Sequence, residues 1–127
     1  MAAGLTGPLT LGGVALDCPN PRELAEFYSQ LLGWKITHED DEWVSLESPN
    51  GGPALGFQRD PEFVPPTWPE RGVPQMLHLE IEVADLDAGR DHALAAGARE
   101  TGKPDSPTAS FRVYLDPAGH PFCLVRS

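Results

Sequence analysis

The segment Ser-Pro-Asn-Gly-Gly-Pro at residues 48–53 is echoed by Asp-Pro-Ala-Gly-His-Pro at residues 116–121. Proline, glycine and proline recur in the same order, 68 positions apart. Upstream of each segment, Gly33 and Gly97 follow stretches that have helical periodicity. The chain therefore contains two copies of one unit. Because such a unit cannot bury its apolar face alone, we expect the copies to pack together, with a ligand cleft between them.

The composition favours one compact domain over residues 1–127. No apolar run approaches the roughly 20 residues of a membrane span, and the first residues lack the basic and apolar regions of a signal peptide. The formal net charge is −10, from 19 acidic and 9 basic residues, which disfavours binding to nucleic acids and anionic membranes. Cys18 and Cys123 lie far apart and are expected to be reduced. These features predict a cytoplasmic protein that binds neither nucleic acid nor membrane.

Each half is predicted to contain a strand, a helix and three further strands. In the first module, about residues 9–59, Asn20 is a candidate N-cap and Pro21 fits the first helical position. The apolar stripe of this helix consists of Leu24, Phe27, Tyr28, Leu31 and Leu32. In the second module, about residues 75–127, Asp85 is the candidate N-cap.

Residues 60–74 are predicted to link the two modules, because they contain four internal prolines and follow no helical or strand period. Trp68 lies in this linker. It can cover the mouth of the cleft as a lid, or it can simply pin the linker to the surface.

The order of these motifs resembles that of the vicinal oxygen chelate superfamily, which includes glyoxalase I, bleomycin-resistance proteins and extradiol dioxygenases. The resemblance is carried by residues 21–28, 32–34, 78–88 and 116–122, and it is greatest to the small glyoxalase-like proteins. It implies an α+β fold of two tandem βαβββ modules whose mixed sheets curl into an open barrel around a pocket. It also implies a homodimer, because modules of this superfamily often complete their clefts across a two-fold axis.

The metal enzymes of this superfamily hold one divalent ion with four side chains from the first and last strands of the modules. By the same resemblance, these positions fall on Gly13, Leu55, His78 and Cys123. Three of the four lack an oxygen or nitrogen donor, so they cannot form the octahedral site of such an ion. We therefore predict that the metal centre of the family is absent and that no cofactor is used.

Strand alternation predicts which residues share the pocket face. Three polar residues on this face, Asp17, His78 and Glu80, are candidate catalytic groups for acid–base chemistry. Six residues are candidate substrate-binding groups: Trp43, Leu55, Phe57, Trp68, Phe111 and Cys123.

Alternative interpretations stay open for several of these residues. His78 can equally be a hydrogen-bonded core residue, and Asp17 can face solvent near its strand end. Cys123 lacks a basic partner in the sequence and is interpreted as a small apolar residue. Surface positions are expected for His38, His92 and His120.

Four functions compete at this point. The first is binding of a small hydrophobic or aromatic molecule in the cleft between the modules, without metal. The second is a metal-independent enzyme, a lyase or an isomerase that transfers protons through His78 with Glu80 or Asp17. The third is a metal-dependent lyase or dioxygenase, against which the missing ligands argue. The fourth is a cleft that serves only dimer assembly.

Overall fold

The computed structural model describes residues 8–67, 72–101 and 109–126. Trp68 lies outside these ranges. The first half contains β1 (Gly13–Cys18), α1 (Pro21–Leu32), β2 (Lys35–Glu39), β3 (Trp43–Glu47) and β4 (Ala54–Arg59). The second half contains β5 (Leu79–Val83), α2 (Leu86–Ala96), β6 (Arg99–Glu100), β7 (Phe111–Leu115) and β8 (Pro121–Arg126). Each half thus has the predicted order of strand, helix and three strands.

Both helices begin and end where the sequence predicts. Asn20 accepts a hydrogen bond from the backbone N–H of Glu23, and Asp85 accepts from the N–H groups of the first turn of α2. These side chains satisfy N–H groups that have no partner within the helix. Gly33 ends α1 in the left-handed region at φ 73°, where a residue with a side chain is strained.

The strands form two four-stranded sheets, with orders β1-β4-β3-β2 and β5-β8-β7-β6. In each sheet the first and last strands of the module pair in parallel, and the remaining strands pair antiparallel. The α+β class and the tandem βαβββ modules are therefore confirmed. Within the described residues no strand pairing joins the two sheets, so the barrel remains open.

The two modules share one hydrophobic core beneath the helices. Tyr28 of α1 stacks on Phe57 of β4, with ring centroids 5.6 Å apart. Phe27, the preceding residue, contacts Phe122 of β8 at 5.9 Å. Helix α1 thus packs against the last strand of both modules, and this packing fixes the position of the modules relative to each other.

Neither α1 nor α2, the helices of the described ranges, is long and apolar enough to cross a membrane.

Candidate functional site

A cavity of about 320 Å³ lies between the two modules, and we call it the inter-module cavity. Strand β1 contributes Ala15, Leu16 and Asp17, and the beginning of β5 contributes Leu79 with the preceding His78. The rest of the wall comes from Tyr28 of α1, from residues within 63–66 and 73–77, and from His120 and Pro121 where β8 begins. Most of these side chains are apolar, so the cavity has a largely hydrophobic surface with a few polar groups.

Two of the predicted catalytic residues, Asp17 and His78, line this cavity together. Glu80 does not line it, but its Oε2 lies 3.3 Å from Nε2 of His78. The His78 side chain is about one-quarter exposed, whereas Glu80 is largely exposed. An imidazole beside a carboxylate at a cavity wall is an arrangement that can move a proton.

His120 occupies a different position from the one that the sequence suggested. Its side chain is only 15% exposed, and its Nδ1 lies 2.8 Å from Oδ2 of the fully buried Asp116. Its Nε2 lies 2.8 Å from the carbonyl oxygen of Asp17. Since a carbonyl oxygen only accepts, Nε2 donates this bond. The expected surface role of His120 is therefore wrong, and the ring connects the β7–β8 turn to β1.

Asp116 is the centre of a buried network that the sequence analysis missed. Its Oδ1 accepts from the backbone N–H groups of Ala118, Gly119 and His120. Its Oδ2 accepts from the hydroxyl of Tyr28 at 2.7 Å. The local part was signalled by the Asp-Pro-x-Gly turn, because Asp side chains often bond the backbone just after them. The contact with α1 had no such signal.

Two buried groups near this network have perturbed acidity. Burial raises the pKa of the Tyr28 hydroxyl well above its usual value, and the charge of Asp116 adds to the effect. Burial likewise raises the pKa of the Cys18 thiol to about 11, with a further contribution from Asp116. Both groups are therefore protonated at neutral pH, and Cys18 is not an activated nucleophile.

A second cavity, of about 300 Å³, lies on the open face of the first sheet. Trp43 borders it, and the indole Nε1 donates a 2.5 Å hydrogen bond to Ser45 Oγ. The indole covers Gly56 so closely that a Cβ at this position would lie 2.1 Å from the ring. Only glycine fits beneath Trp43 in this arrangement.

The predicted orientation of β4 is wrong. In the parallel pairing with β1, Leu55 lies beside Val14 and Phe57 beside Leu16, which places both on the helix side of the sheet. Phe57 is completely buried against Tyr28 and does not reach the cleft. Leu55 shares this orientation but still borders the cavity next to Trp43.

The pairing also corrects the correspondence between the modules. Gly56 pairs with Ala15, and Cys123 pairs with Glu80 on the equivalent strands. Gly56 is therefore the counterpart of Cys123, a position that the sequence analysis assigned to Leu55. Equivalent residues of β4 and β8 are therefore 67 positions apart in the sequence, whereas equivalent residues of the two Pro-Gly-Pro turns are 68 positions apart.

The remaining candidates lie on the second sheet. Cys123 is buried and shares its face with Glu80 and Val113, whereas Phe111 is 45% exposed on the same face. Neither residue lines the inter-module cavity or the cavity next to Trp43. Within the described ranges no group of three or more His, Cys, Asp or Glu side chains is arranged to hold a metal ion.

A family model for the glyoxalase-like domain matches residues 13–125. No curated protein matches the chain. A glyoxalase/bleomycin resistance protein/dioxygenase family enzyme from Burkholderia phytofirmans PsJN is similar in structure, with a TM-score of 0.71 and 18% identity over 93% of this chain and 98% of that one.

Two further solved structures have the same fold. A glyoxalase-related enzyme from Fulvimarina pelagi is 18% identical over 93% of this chain and 88% of its own, with a TM-score of 0.68. Lactoylglutathione lyase from Agrobacterium tumefaciens is 15% identical over 95% and 96%, with a TM-score of 0.64. Identities this low show the fold alone. Because the family model matches most of the length of the chain, the chain belongs to the glyoxalase-like domain family of the vicinal oxygen chelate superfamily.

Proposed function

We propose that this protein binds a small, largely apolar organic molecule in the inter-module cavity, without the metal centre of its superfamily. The observation that carries the proposal is the cavity itself, about 320 Å³ with apolar walls, where Asp17 and His78 come together from different modules. Small-molecule sites are typically concave and mostly apolar, with a few convergent polar groups.

The residues at the four metal-binding corners do not fit a divalent ion. With the corrected register, these corners carry Gly13, Gly56, His78 and Cys123. One imidazole and one thiol are too few donors for an octahedral ion that prefers oxygen. The indole of Trp43 also fills the space that a side chain at position 56 would need. The functions of the metal enzymes are therefore not proposed for this chain.

A second candidate function is metal-independent proton transfer on the bound molecule. The contact of 3.3 Å between His78 Nε2 and Glu80 Oε2 favours it, because the carboxylate can orient the ring as a base. In this case His78 exchanges a proton with the ligand, and Asp17 lies within the same cavity.

We further propose a homodimer in the cytoplasm. Several large apolar side chains are exposed beside the edge strands β1 and β5, among them Leu9, Leu11, Met76 and Leu77. Large apolar side chains that are exposed to this degree often mark an interface between proteins. Light scattering coupled to size-exclusion chromatography is expected to give the mass of two chains, and the mass of one chain would contradict the dimer.

The binding proposal can be tested by filling the cavity. Ala15 lies on the exposed face of β1 and lines the cavity, so Ala15→Trp places an indole in the ligand volume. Ala95→Trp is the matched control, because Ala95 is exposed on α2 and does not line the cavity. In a thermal-shift screen of small aromatic compounds, hits should stabilise the wild type and the control but not Ala15→Trp. Hits that stabilise all three proteins equally would contradict the proposal.

A further inference from the structure

The inter-module cavity and the cavity next to Trp43 follow one another along the same face of β1. Gly13 and Ala15 border the cavity next to Trp43, whereas Ala15 and Asp17 border the inter-module cavity. These three residues are exposed and alternate with more buried ones, so they share one side of the strand. Because residues two apart on a strand are separated by roughly 6.6 Å, Gly13 and Asp17 lie roughly 13 Å apart. The exposed Ala15 belongs to both cavities, and the cavities therefore adjoin.

The floor of the cavity next to Trp43 has almost no side chains. Across the first sheet, Ala15 pairs with Gly56 and Gly13 pairs with Ala54, and all four line the cavity. Gly13 and Gly56 are two of the four metal-binding corners, so the cavity lies where the metal ligands of the first module would extend. A floor of backbone and methyl groups leaves room for a planar ring against the sheet.

The indole of Trp43 forms a fixed wall of this cavity. Its Nε1–H donates to Ser45 Oγ at 2.5 Å, and its ring covers Gly56. The ring is thus held in place before any ligand arrives, which lowers the entropic cost of packing a second ring against it. Aromatic pairs in stacked or edge-to-face geometry also gain more free energy than the area that they bury accounts for.

The polar groups of the two adjoining cavities lie mainly at one end. The described residues that line the cavity next to Trp43 include no charged side chain, and the Ser45 hydroxyl already bonds to the indole. In contrast, Asp17 and His78 line the inter-module cavity, where His120 adds a second imidazole. Because a buried polar group without a partner is costly, a molecule that fills both cavities should be apolar at one end and polar at the other.

We propose that the ligand is an elongated molecule of two linked aromatic rings that fills both cavities and passes over Ala15. The distal ring lies on the floor against the indole of Trp43, and the first ring directs a polar group to Asp17 and His78. The cavities measure about 320 and 300 Å³, each at the lower end for ligand pockets, so each suits one ring. This inference rests on the proposed function, extends its site and names the class of its ligand.

Three uncharged probes test the inference by NMR titration: benzyl alcohol, 4-phenylbenzyl alcohol and 2-phenylbenzyl alcohol. The first has one ring, and the other two contain the same atoms as each other but differ in shape, since only the 4-isomer is straight. The 4-isomer should bind the wild type at least tenfold more tightly than either other probe. The reason is that only its second ring reaches the cavity next to Trp43 and buries apolar surface there.

Two variants then test the wall of the second cavity. Trp43→Ala removes the indole, and Gly56→Ala displaces it because the new Cβ would lie 2.1 Å from the ring. Both should weaken binding of the 4-isomer about tenfold and leave the affinity for benzyl alcohol unchanged. Trp34→Ala is the matched control, since it removes a partly buried indole that lines neither cavity. The comparison of the isomers on the wild type needs no variant, so a poorly folded variant leaves the test intact.

The outcomes separate this inference from the function on which it rests. If the 4-isomer binds no more tightly than the 2-isomer, and Ala15→Trp abolishes binding of both, the inter-module cavity is a ligand site but the two-ring inference is wrong. If Trp43→Ala and Gly56→Ala bind the 4-isomer as tightly as the wild type, the inference is also wrong. If none of the three probes binds the wild type, both the inference and the proposed function lose their support.

Discussion

The hydroxyl of Tyr28 donates a 2.7 Å hydrogen bond to Oδ2 of Asp116, although 88 positions separate the two residues and both are completely buried. Tyr28 belongs to the helix of the first module and Asp116 to the β7–β8 turn of the second. The same carboxylate holds the turn through three backbone N–H groups and bonds to His120. This network joins the two modules next to the inter-module cavity.

The first prediction concerns the stability that this network provides. Tyr28→Phe removes one hydrogen bond to a charged acceptor and should lower the free energy of unfolding by about 1.5 to 3 kcal/mol. Asp116→Ala should cost more, because it leaves several buried donors without an acceptor. Urea denaturation measures both changes. Asp91→Ala, at an exposed position, is the control and should change little. Equal stability of Tyr28→Phe and wild type would show that the bond contributes nothing.

The second prediction is a loss of stability at alkaline pH. The pKa of Cys18 rises from 9.0 to about 11 in the folded protein, so above pH 9 the unfolded chain releases this proton while the folded chain keeps it. Stability is therefore complete below pH 9 and falls between pH 9 and 11, at a limiting slope of ~1.4 kcal/mol per pH unit for one such group. The raised pKa of Tyr28 acts in the same direction above pH 10.

Urea titrations at several pH values between 8 and 10.5 check the alkaline effect. Cys18→Ala should lose stability less steeply than the wild type, because the ionisable thiol is gone. A decline of the same steepness in both proteins would contradict the assignment to Cys18.

The third prediction concerns the contact between Trp43 and Gly56. In Gly56→Ala the new Cβ collides with the indole, so the ring must move and the stability should fall by about 1 to 3 kcal/mol. The displacement should also change tryptophan fluorescence. Gly12→Ala is the control, because Gly12 lines the same cavity but a Cβ there meets nothing within 4 Å. In a Trp43→Ala background the cost of Gly56→Ala should largely disappear, and a persisting cost would contradict the steric explanation.

The fourth prediction separates binding from catalysis. Once a ligand has been identified, His78→Ala should abolish any turnover of that ligand, and Glu80→Gln should reduce it because the carboxylate that orients the His78 ring is gone. Binding affinity should change less than turnover in Glu80→Gln, because Glu80 does not line the cavity. NMR detection of product measures the rate. Turnover that is as fast in both variants as in the wild type would exclude this pair as the acid–base machinery.

The sequence predicted the orientation of β1 and β5 correctly because their apolar residues alternate with small or acidic ones. Leu16 and Cys18 are buried and Asp17 is exposed, while Glu80 and Glu82 are exposed between partly buried neighbours. Strand β4 has no such alternation, since Leu55, Gly56 and Phe57 are all buried. The two Pro-Gly-Pro turns do not give the correct register either, because β8 begins at the last proline of its turn, whereas β4 begins one residue after the last proline of its turn.

His120 shows a different limit of sequence-based prediction. A histidine in a turn of a polar segment is typical of the surface, and nothing close in sequence indicates burial. Its contacts come from the tertiary fold, as its Nε2 bonds to a carbonyl oxygen 103 positions away.

The most direct test of the central claim is a crystal structure of the protein soaked with the aromatic compound that stabilises it most in the thermal-shift screen and with a divalent metal salt. The account predicts density for the compound in the inter-module cavity, beside Asp17 and His78, and no metal between Gly13, Gly56, His78 and Cys123. An ion liganded at those four positions, or a compound bound only outside the cavity, would contradict it.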